Sequence, residues 1–209
     1  MVEERPDAQR ARRGRPRHET PSNDYIARLE EIITVATQVF RERGYEAGSL
    51  EDVASALGLR KASLYYYVES KSALLHLIFD RAISDALREI SRIVSIDEPR
   101  QRLEALIRHQ ALRVSTEPSL FTVFFDQRPG LRDEHYEDIL AKERAYVRHY
   151  IDAVQDAIAV EALPRGDPRM LADILLGMTS WSYKWFDPSR DDPEEFADAC
   201  VRLVLGGTP

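Results

Sequence analysis

The chain has 209 residues, of which 44% are apolar and 31% are charged, and its formal net charge is −7. This composition excludes a disordered chain and predicts a globular protein with one large domain or two small ones. No apolar run approaches the roughly 18 residues of a membrane span, and the single cysteine, Cys200, excludes an internal disulfide framework and favours a reducing, cytoplasmic location.

The negative charge is distributed unevenly along the chain. The first 75 residues contain 12 Lys and Arg against 12 Asp and Glu, so the whole excess lies in the remainder. Five arginines lie between Arg10 and Arg17, and three further basic residues, Arg60, Lys61 and Lys71, lie close together. Local clusters matter more for phosphate binding than the overall sum. The N-terminal part is therefore compatible with nucleic acid, although the whole chain is acidic.

Residues 1–22 show no apolar periodicity and are predicted to be a flexible basic arm. Its segment RRGRPR contains Arg13, Arg15 and Arg17, which we predict to contact DNA. The segment resembles an AT-hook, an extended strip that lies in a narrow A·T minor groove. The alternative is a basic tail that attracts DNA without reading its sequence, and both interpretations stay open because short basic motifs recur by chance.

Helical periodicity dominates the residues that follow. A first helix is predicted from Tyr25, with apolar residues at steps of three and four, and Gly44 is expected to end it. Ser49 is expected to cap a short second helix that ends at Leu57. Gly58 then supplies a tight turn into a short third helix.

The rest of the chain is predicted to contain six further helices. They begin near Ser70, at 97–99, around the run LFTVFF at 120–125, after the turn RPGL at 128–131, at Asp167-Pro168, and at Asp192-Pro193. Aspartate as a cap followed by proline at the first helical position is a common helix start. No strand alternation or internal repeat is evident. The predicted fold class is all-α with about nine helices, divided into a helix-turn-helix domain at 23–71 and a ligand-binding and dimerisation domain at 72–209.

The segment from Glu31 to Lys71 has the layout of a helix-turn-helix, with a supporting helix, a second helix, a glycine turn and a short third helix. The first residues of the third helix reach base edges in such motifs, so Arg60 and Lys61 suit guanine acceptors. Ala62 allows close approach, and tyrosine hydroxyls and Lys71 suit phosphate oxygens. The predicted DNA contacts of this segment are Ser49, Arg60, Lys61, Ala62, Ser63, Tyr65, Tyr66, Tyr67 and Lys71.

The run SLEDVASALGLRKASLYYYVESKSALL at 49–75 resembles the DNA-binding motif of the tetracycline-repressor (TetR) family, which has a run similar to GVSKGSLYYHFKSKEEL. The matching residues are Ser63, Leu64, Tyr65, Tyr66, Ser70, Lys71 and Leu74, and Arg60 and Lys61 lie where the family varies. The sequence departs from the motif at Tyr67, Val68 and Glu69. The resemblance implies a homodimer that binds double-stranded operator DNA and a divergent domain that binds a small effector.

Aromatic and sulfur-bearing side chains are concentrated in the second domain. Packing accounts for such residues by default, but we predict ligand contacts at Phe121, Phe124, Phe125, Tyr146, Tyr150, Met178, Trp181 and Trp185. The run GMTSWSYKWF at 177–186 resembles a TetR subgroup that senses fatty-acyl or other acyl thioesters of coenzyme A. This resemblance implies a largely apolar effector, either an acyl-CoA or a fatty acid. Arg108, His109 and Arg113 are candidates for an anionic head group, but a solvated helix face is the preferred interpretation.

We therefore predict a ligand-responsive transcriptional regulator, a repressor that leaves DNA when its effector binds. The last two helices, 167–187 and 192–206, are expected to pair with their copies across a two-fold axis, helped by the small residues Ala172, Gly177 and Ser180. The alternative is an all-α small-molecule-binding protein without a DNA function. No nucleotide-binding, zinc or metalloprotease motif is present, so we predict no enzyme activity, cofactor, metal site or membrane partner.

Overall fold

A computed structural model describes residues 22–131 and 133–206, and for residues 133–135 it describes the backbone alone. Within these ranges the chain forms nine α-helices, two 3-10 turns and no strand, which confirms the predicted all-α fold class. The predicted DNA contacts Arg13, Arg15 and Arg17 lie outside the described residues. They therefore stay predictions.

The helices follow one another along the chain with short connections. They are α1 (Asn23–Ala47), α2 (Leu50–Ala56), α3 (Lys61–Leu64), α4 (Lys71–Ile93), α5 (Pro99–Thr116), α6 (Pro118–Asp126), α7 (Asp133–Ala159), α8 (Pro168–Ser180) and α9 (Pro193–Leu205). The 3-10 turns at Arg128–Gly130 and Trp181–Lys184 follow α6 and α8. The predicted order of elements is therefore confirmed over the described part of the chain.

Side-chain caps and glycines set the boundaries of the N-terminal helices. The hydroxyl of Ser49 accepts from the backbone N–H of Asp52 at 3.1 Å, and the Asp52 carboxylate accepts from the N–H of Ser49 at 2.9 Å, which completes a capping box. The hydroxyl of Ser70 accepts from the backbone N–H of Ala73 at 3.0 Å and so caps α4. Gly44 and Gly58 have φ of +77° and +64°, which glycine adopts without a steric penalty. Gly44 interrupts the helical path of α1, and Gly58 makes the turn between α2 and α3.

The apolar core runs without a break from the N-terminal helices into the rest of the protein. Leu64 of α3 and Val68 after it are buried in the same core cluster as residues of α1, α2 and α4, and α3 packs against α2. In the C-terminal part, α5 packs against α4, α6, α7, α8 and α9. The buried face of α5 includes Leu103, Leu106, Ile107, Gln110 and Val114.

The N-terminal helices also contact the turn between α6 and α7. The side-chain oxygen of Gln127 accepts from the backbone N–H of Tyr45 at 3.0 Å. Gly130 lies so close to the Tyr45 ring that a Cβ atom would stand 2.5 Å from it, and this close approach requires glycine. Arg41 of α1 donates to Ser119 of α6 at 2.9 Å. The two parts of the molecule are thus joined by this junction as well as by α4.

Candidate functional site

The predicted DNA contacts of α3 form an exposed surface. Arg60 precedes α3 and makes no capping hydrogen bond, and Lys61, Ala62 and Ser63 are exposed with it. Tyr65 and Tyr66 are 46% and 73% exposed, whereas Leu64, which precedes them, is fully buried. One face of this short helix therefore anchors it to the core, and the other presents basic and hydroxyl groups to the solvent. That arrangement suits a helix that enters a major groove.

Three of the predicted DNA contacts also have structural roles. The Lys61 ammonium lies 3.3 Å from the carboxylate of Glu51, and both side chains are exposed. Lys71 donates to the carbonyl of Glu46 at 3.1 Å and lies 4.3 Å from the centroid of the Tyr45 ring. The hydroxyl of Ser49 is engaged in the capping box described above.

The ring of Tyr25 packs against the tyrosines that follow α3. The sequence pattern did not predict this contact. Its ring stacks on Tyr67 with centroids 5.0 Å apart and meets Tyr66 edge-on at 6.0 Å. Tyr25 and these tyrosines are far apart in sequence, so no local pattern links them. These ring contacts hold the start of α1, which follows the basic segment in sequence, beside the exposed surface of α3.

A cavity of about 240 Å³ lies between α4, α5, α6, α7 and α8. Its apolar lining comprises Ala82, Ile83, Ala86, Phe121, Phe124, Phe125, Val147 and Leu176, and its polar lining comprises Gln110, Arg113, Glu143, Tyr146 and Ser180. The mainly apolar wall with a few polar groups is typical of small-molecule sites.

Four polar side chains on one side of the cavity bind one another. Gln110 donates to the hydroxyl of Ser180 at 3.0 Å and accepts from the Tyr146 hydroxyl. The Tyr146 and Tyr150 hydroxyls lie 3.1 Å apart, and Tyr150 donates to the carbonyl of Leu106 at 2.9 Å. Burial raises the pKa of both tyrosines, so they stay neutral hydrogen-bonding groups.

Arg113 of α5 binds α4 from the wall of the same cavity. One of its terminal nitrogens, Nη1, lies 3.1 and 3.2 Å from the two carboxylate oxygens of Glu89, and Nη2 donates to the Ala82 carbonyl at 3.3 Å. His109 contacts Glu89 through Nε2 at 2.8 Å. Burial lowers the pKa of His109 against the opposing effect of Glu89. Burial opposes ionisation of Glu89, but hydrogen bonds and the Arg113 charge leave its pKa lowered.

The preferred interpretation of Arg108, His109 and Arg113 as a solvated helix face is therefore wrong. Arg113 is only 9% exposed, and the side chain of His109 is equally buried, because both pack against α4. Arg108 is engaged on the other side of α5, where its guanidinium binds Glu194 and Asp198 of α9. Only Arg113 of the three lines the cavity.

The predicted ligand residues fall into two groups. Phe121, Phe124, Phe125 and Tyr146 line the cavity, and Tyr150 lies behind Tyr146. Met178, Trp181 and Trp185 do not line it, and the two tryptophans are 61% and 49% exposed. The ligand contacts of these three residues therefore stay predictions, and α8 has two apolar faces. Ala172, Leu175 and Thr179 face the core, whereas Met170, Ile174 and Trp181 face outward.

A second ion pair lies where the cavity meets the turn after α6. Arg128 binds Glu143 through two hydrogen bonds of 2.5 Å, and its guanidinium lies 5.5 Å from the centroid of the Tyr136 ring. The hydrogen bonds to Glu143 raise the pKa of Arg128. This pair connects a residue that lines the cavity to the turn that packs on Tyr45.

Other kinds of site find no support in the described parts of the chain. No group of three or more His, Cys, Asp or Glu residues there is placed to hold a metal ion. Among the same residues, none of the helices combines the length and apolar character that a bilayer crossing requires.

Comparisons with known proteins match both parts of the chain. The family model described as bacterial regulatory proteins of the tetR family matches residues 32–78, and the model of the tetracyclin repressor-like C-terminal domain matches residues 97–208. The HTH-type transcriptional repressor KstR2 of Rhodococcus jostii is 26% identical over 184 residues, which cover 86% of this chain and 90% of that protein.

Solved structures with the same fold include one regulator in complex with a small molecule and operator DNA. The structure of AibR in complex with isovaleryl coenzyme A and operator DNA is 30% identical, with a TM-score of 0.79 over 87% of this chain and all of that one. A TetR/AcrR regulator from Thermobifida fusca is 31% identical, with a TM-score of 0.69 over 88% of this chain and 99% of that one. The chain therefore belongs to the TetR family of bacterial regulatory proteins, and it is a ligand-responsive, DNA-binding transcriptional regulator.

Proposed function

We propose that this protein is a repressor that binds operator DNA as a dimer and leaves it when a short-chain acyl thioester of coenzyme A occupies the cavity. The observation that carries the proposal is the mainly apolar cavity of about 240 Å³ between α4 and α8. The likeness to AibR, which was solved with isovaleryl coenzyme A and operator DNA, supports an acyl thioester as its occupant. The alternative of a binding protein without a DNA function is set aside, because residues 32–78 match the family's regulatory model.

The volume of the cavity limits the size of the buried group. A short branched acyl group with its thioester fits a cavity of this volume, about 240 Å³. The coenzyme A part then lies outside the cavity.

The proposal is tested by a mobility shift with DNA from upstream of the protein's own gene. We expect a complex that disappears as isovaleryl coenzyme A is added and persists with coenzyme A alone. Retention of the complex at saturating isovaleryl coenzyme A would remove the proposed effector, and failure to bind any upstream DNA would remove the operator assignment.

We propose that Arg60 reads a base and that Lys71 holds phosphate. Arg60→Ala is expected to weaken operator binding by about 1–3 kcal/mol and to relax the preference at one base pair, because a bidentate contact to guanine is lost. Lys71→Ala is expected to weaken binding to all sequences alike and to lower the salt slope by about one unit per subunit. Binding measured against a set of single-base operator variants at several salt concentrations separates the two. An unchanged base preference in Arg60→Ala would contradict its assignment.

We propose that the dimer forms through the outward face of α8 and α9. The large apolar residues exposed there are Met170, Ile174, Trp181, Trp185 and Leu203. Such a patch on a soluble surface is typical of a protein interface. Of the small residues expected at this interface, Gly177 is exposed with open space beside it, whereas Ala172 is buried and Ser180 lines the cavity. Gly177 alone fits the expected close approach.

We also propose that two parts of the chain have different functions. Residues 23–71 bind DNA, and residues 72–209 hold the effector and the partner subunit. The boundary falls at the start of α4, whose N-terminus packs with the DNA-binding helices and whose later turns line the cavity. We assign the protein to the cytoplasm, where a bacterial operator lies, and we assign it no enzyme activity.

A further inference from the structure

Arg113 has an unused donor beside the cavity. The side chain is nine-tenths buried and lines the cavity, yet its Nε has no hydrogen-bond partner in the part of the chain described. Buried donors in proteins are normally paired, and an unpaired one requires an explanation. A missing acceptor on a ligand in the cavity provides that explanation.

The other polar groups of the wall each have at least one hydrogen-bond partner. Gln110, Ser180 and Tyr146 are connected by the hydrogen bonds described above. Glu143 is held by both terminal nitrogens of Arg128. Among the described residues that line the cavity, Arg113 is therefore the one with a buried nitrogen donor that has no partner.

The surrounding charges select a neutral acceptor over an anion. The Arg113 guanidinium is already balanced by the carboxylate of Glu89 at 3.1 Å. A free carboxylate in the cavity would add a second negative charge next to Glu89 in mainly apolar surroundings, which is unfavourable. A carbonyl oxygen of a thioester accepts from Nε without this penalty.

We infer that Arg113 binds the carbonyl oxygen of the acyl effector through Nε, and that it distinguishes acyl thioesters from the free acids. The inference rests on the proposed function and specifies its ligand class. The contact from Arg113 favours an acyl-CoA over a fatty acid, and these are the two effectors that the sequence leaves open.

The same side chain links the occupied cavity to the DNA-binding helices. Its terminal nitrogens hold Glu89 and the carbonyl of Ala82, both on α4, and the Ala82 contact of 3.3 Å is longer than a typical N–H···O bond. Arg113 therefore joins the wall of the cavity to two acceptors on α4, the helix whose N-terminus packs with the DNA-binding helices.

Calorimetric titration of the full chain with two ligands tests the inference. One ligand is isovaleryl coenzyme A, and the other is its thioether, S-isopentyl coenzyme A, in which CH₂ replaces the carbonyl. We expect the wild-type protein to bind the thioester roughly 10- to 100-fold more tightly, as for a hydrogen bond to a charged group. Arg113→Lys keeps a cation that can pair with Glu89 but lacks Nε, and it is expected to bind the two ligands nearly alike and still bind operator.

The control is Arg92→Met, which removes an exposed arginine of α4 that does not line the cavity. It is expected to keep the full preference for the thioester. Equal affinity of the wild-type protein for both ligands, or an undiminished preference in Arg113→Lys, would overturn the role of Arg113 and leave the proposed function intact. Absence of binding for both ligands in the wild-type protein would overturn the proposed function and this inference with it.

Discussion

Replacing Ile174 with aspartate is expected to convert the dimer into monomers. Ile174 is 61% exposed on α8 between Met170 and Trp181, which lie on the same face. An unpaired carboxylate enclosed at the centre of an interface costs several kcal/mol. We expect a loss of at least about 3 kcal/mol per dimer, which raises the dissociation constant roughly a hundredfold or more. Sedimentation of the wild-type and variant proteins over a range of concentrations measures the dissociation constant of each dimer.

The loss of dimers is expected to remove most operator binding, because one subunit places one recognition helix in one half-site. Val160→Asp is a matched control, since Val160 is an aliphatic residue of similar exposure, 52%, that lies beyond the end of α7. It is expected to leave both the dimer and operator binding unchanged. A dimeric Ile174→Asp protein at micromolar concentration would show that another surface forms the interface.

Local sequence signals predicted the helix boundaries around α3 well. The caps Ser49 and Ser70 and the turn at Gly58 depend on residues within a few positions of each other, and the structure confirms all three. Leu64, the buried anchor of α3, belongs to a motif that is continuous in sequence. Tyr25 was missed because its partners lie far along the chain.

The effector cavity was harder to predict because its parts come from five helices. Apolar residues recur along α8 at positions that include Ile174 and Trp181, but periodicity alone does not tell a core face from an interface face when both are apolar. The burial of Arg113 depends on Glu89 of a different helix. Nothing in the local sequence distinguishes such an arginine from the exposed arginines of the chain.

Replacing Leu64 with alanine is expected to abolish operator recognition while the effector cavity stays intact. An isolated helix as short as α3, with four residues, is not stable in water. Its position depends on the anchor residue, and Leu64 is fully buried. Truncating such a leucine typically costs about 2–5 kcal/mol. We expect the loss to appear as local unfolding of α3 and the tyrosines after it, because this segment contributes few buried residues of its own.

The Leu64→Ala variant distinguishes the role of the buried anchor residue from the role of the residues that contact DNA. Arg60→Ala removes one contact and changes the base preference, whereas Leu64→Ala displaces every contact of α3 and is expected to weaken all operators to the level of non-specific binding. Ile26→Ala is the matched control, because it removes aliphatic carbons from a 49% exposed position of α1 in the same domain. Hydrogen exchange should show faster amide exchange from Lys61 to Tyr67 in Leu64→Ala alone, with unchanged binding of isovaleryl coenzyme A. Because Leu64 packs into a core that continues to α4, loss of effector binding in this variant would instead show that the two parts of the molecule unfold as one unit.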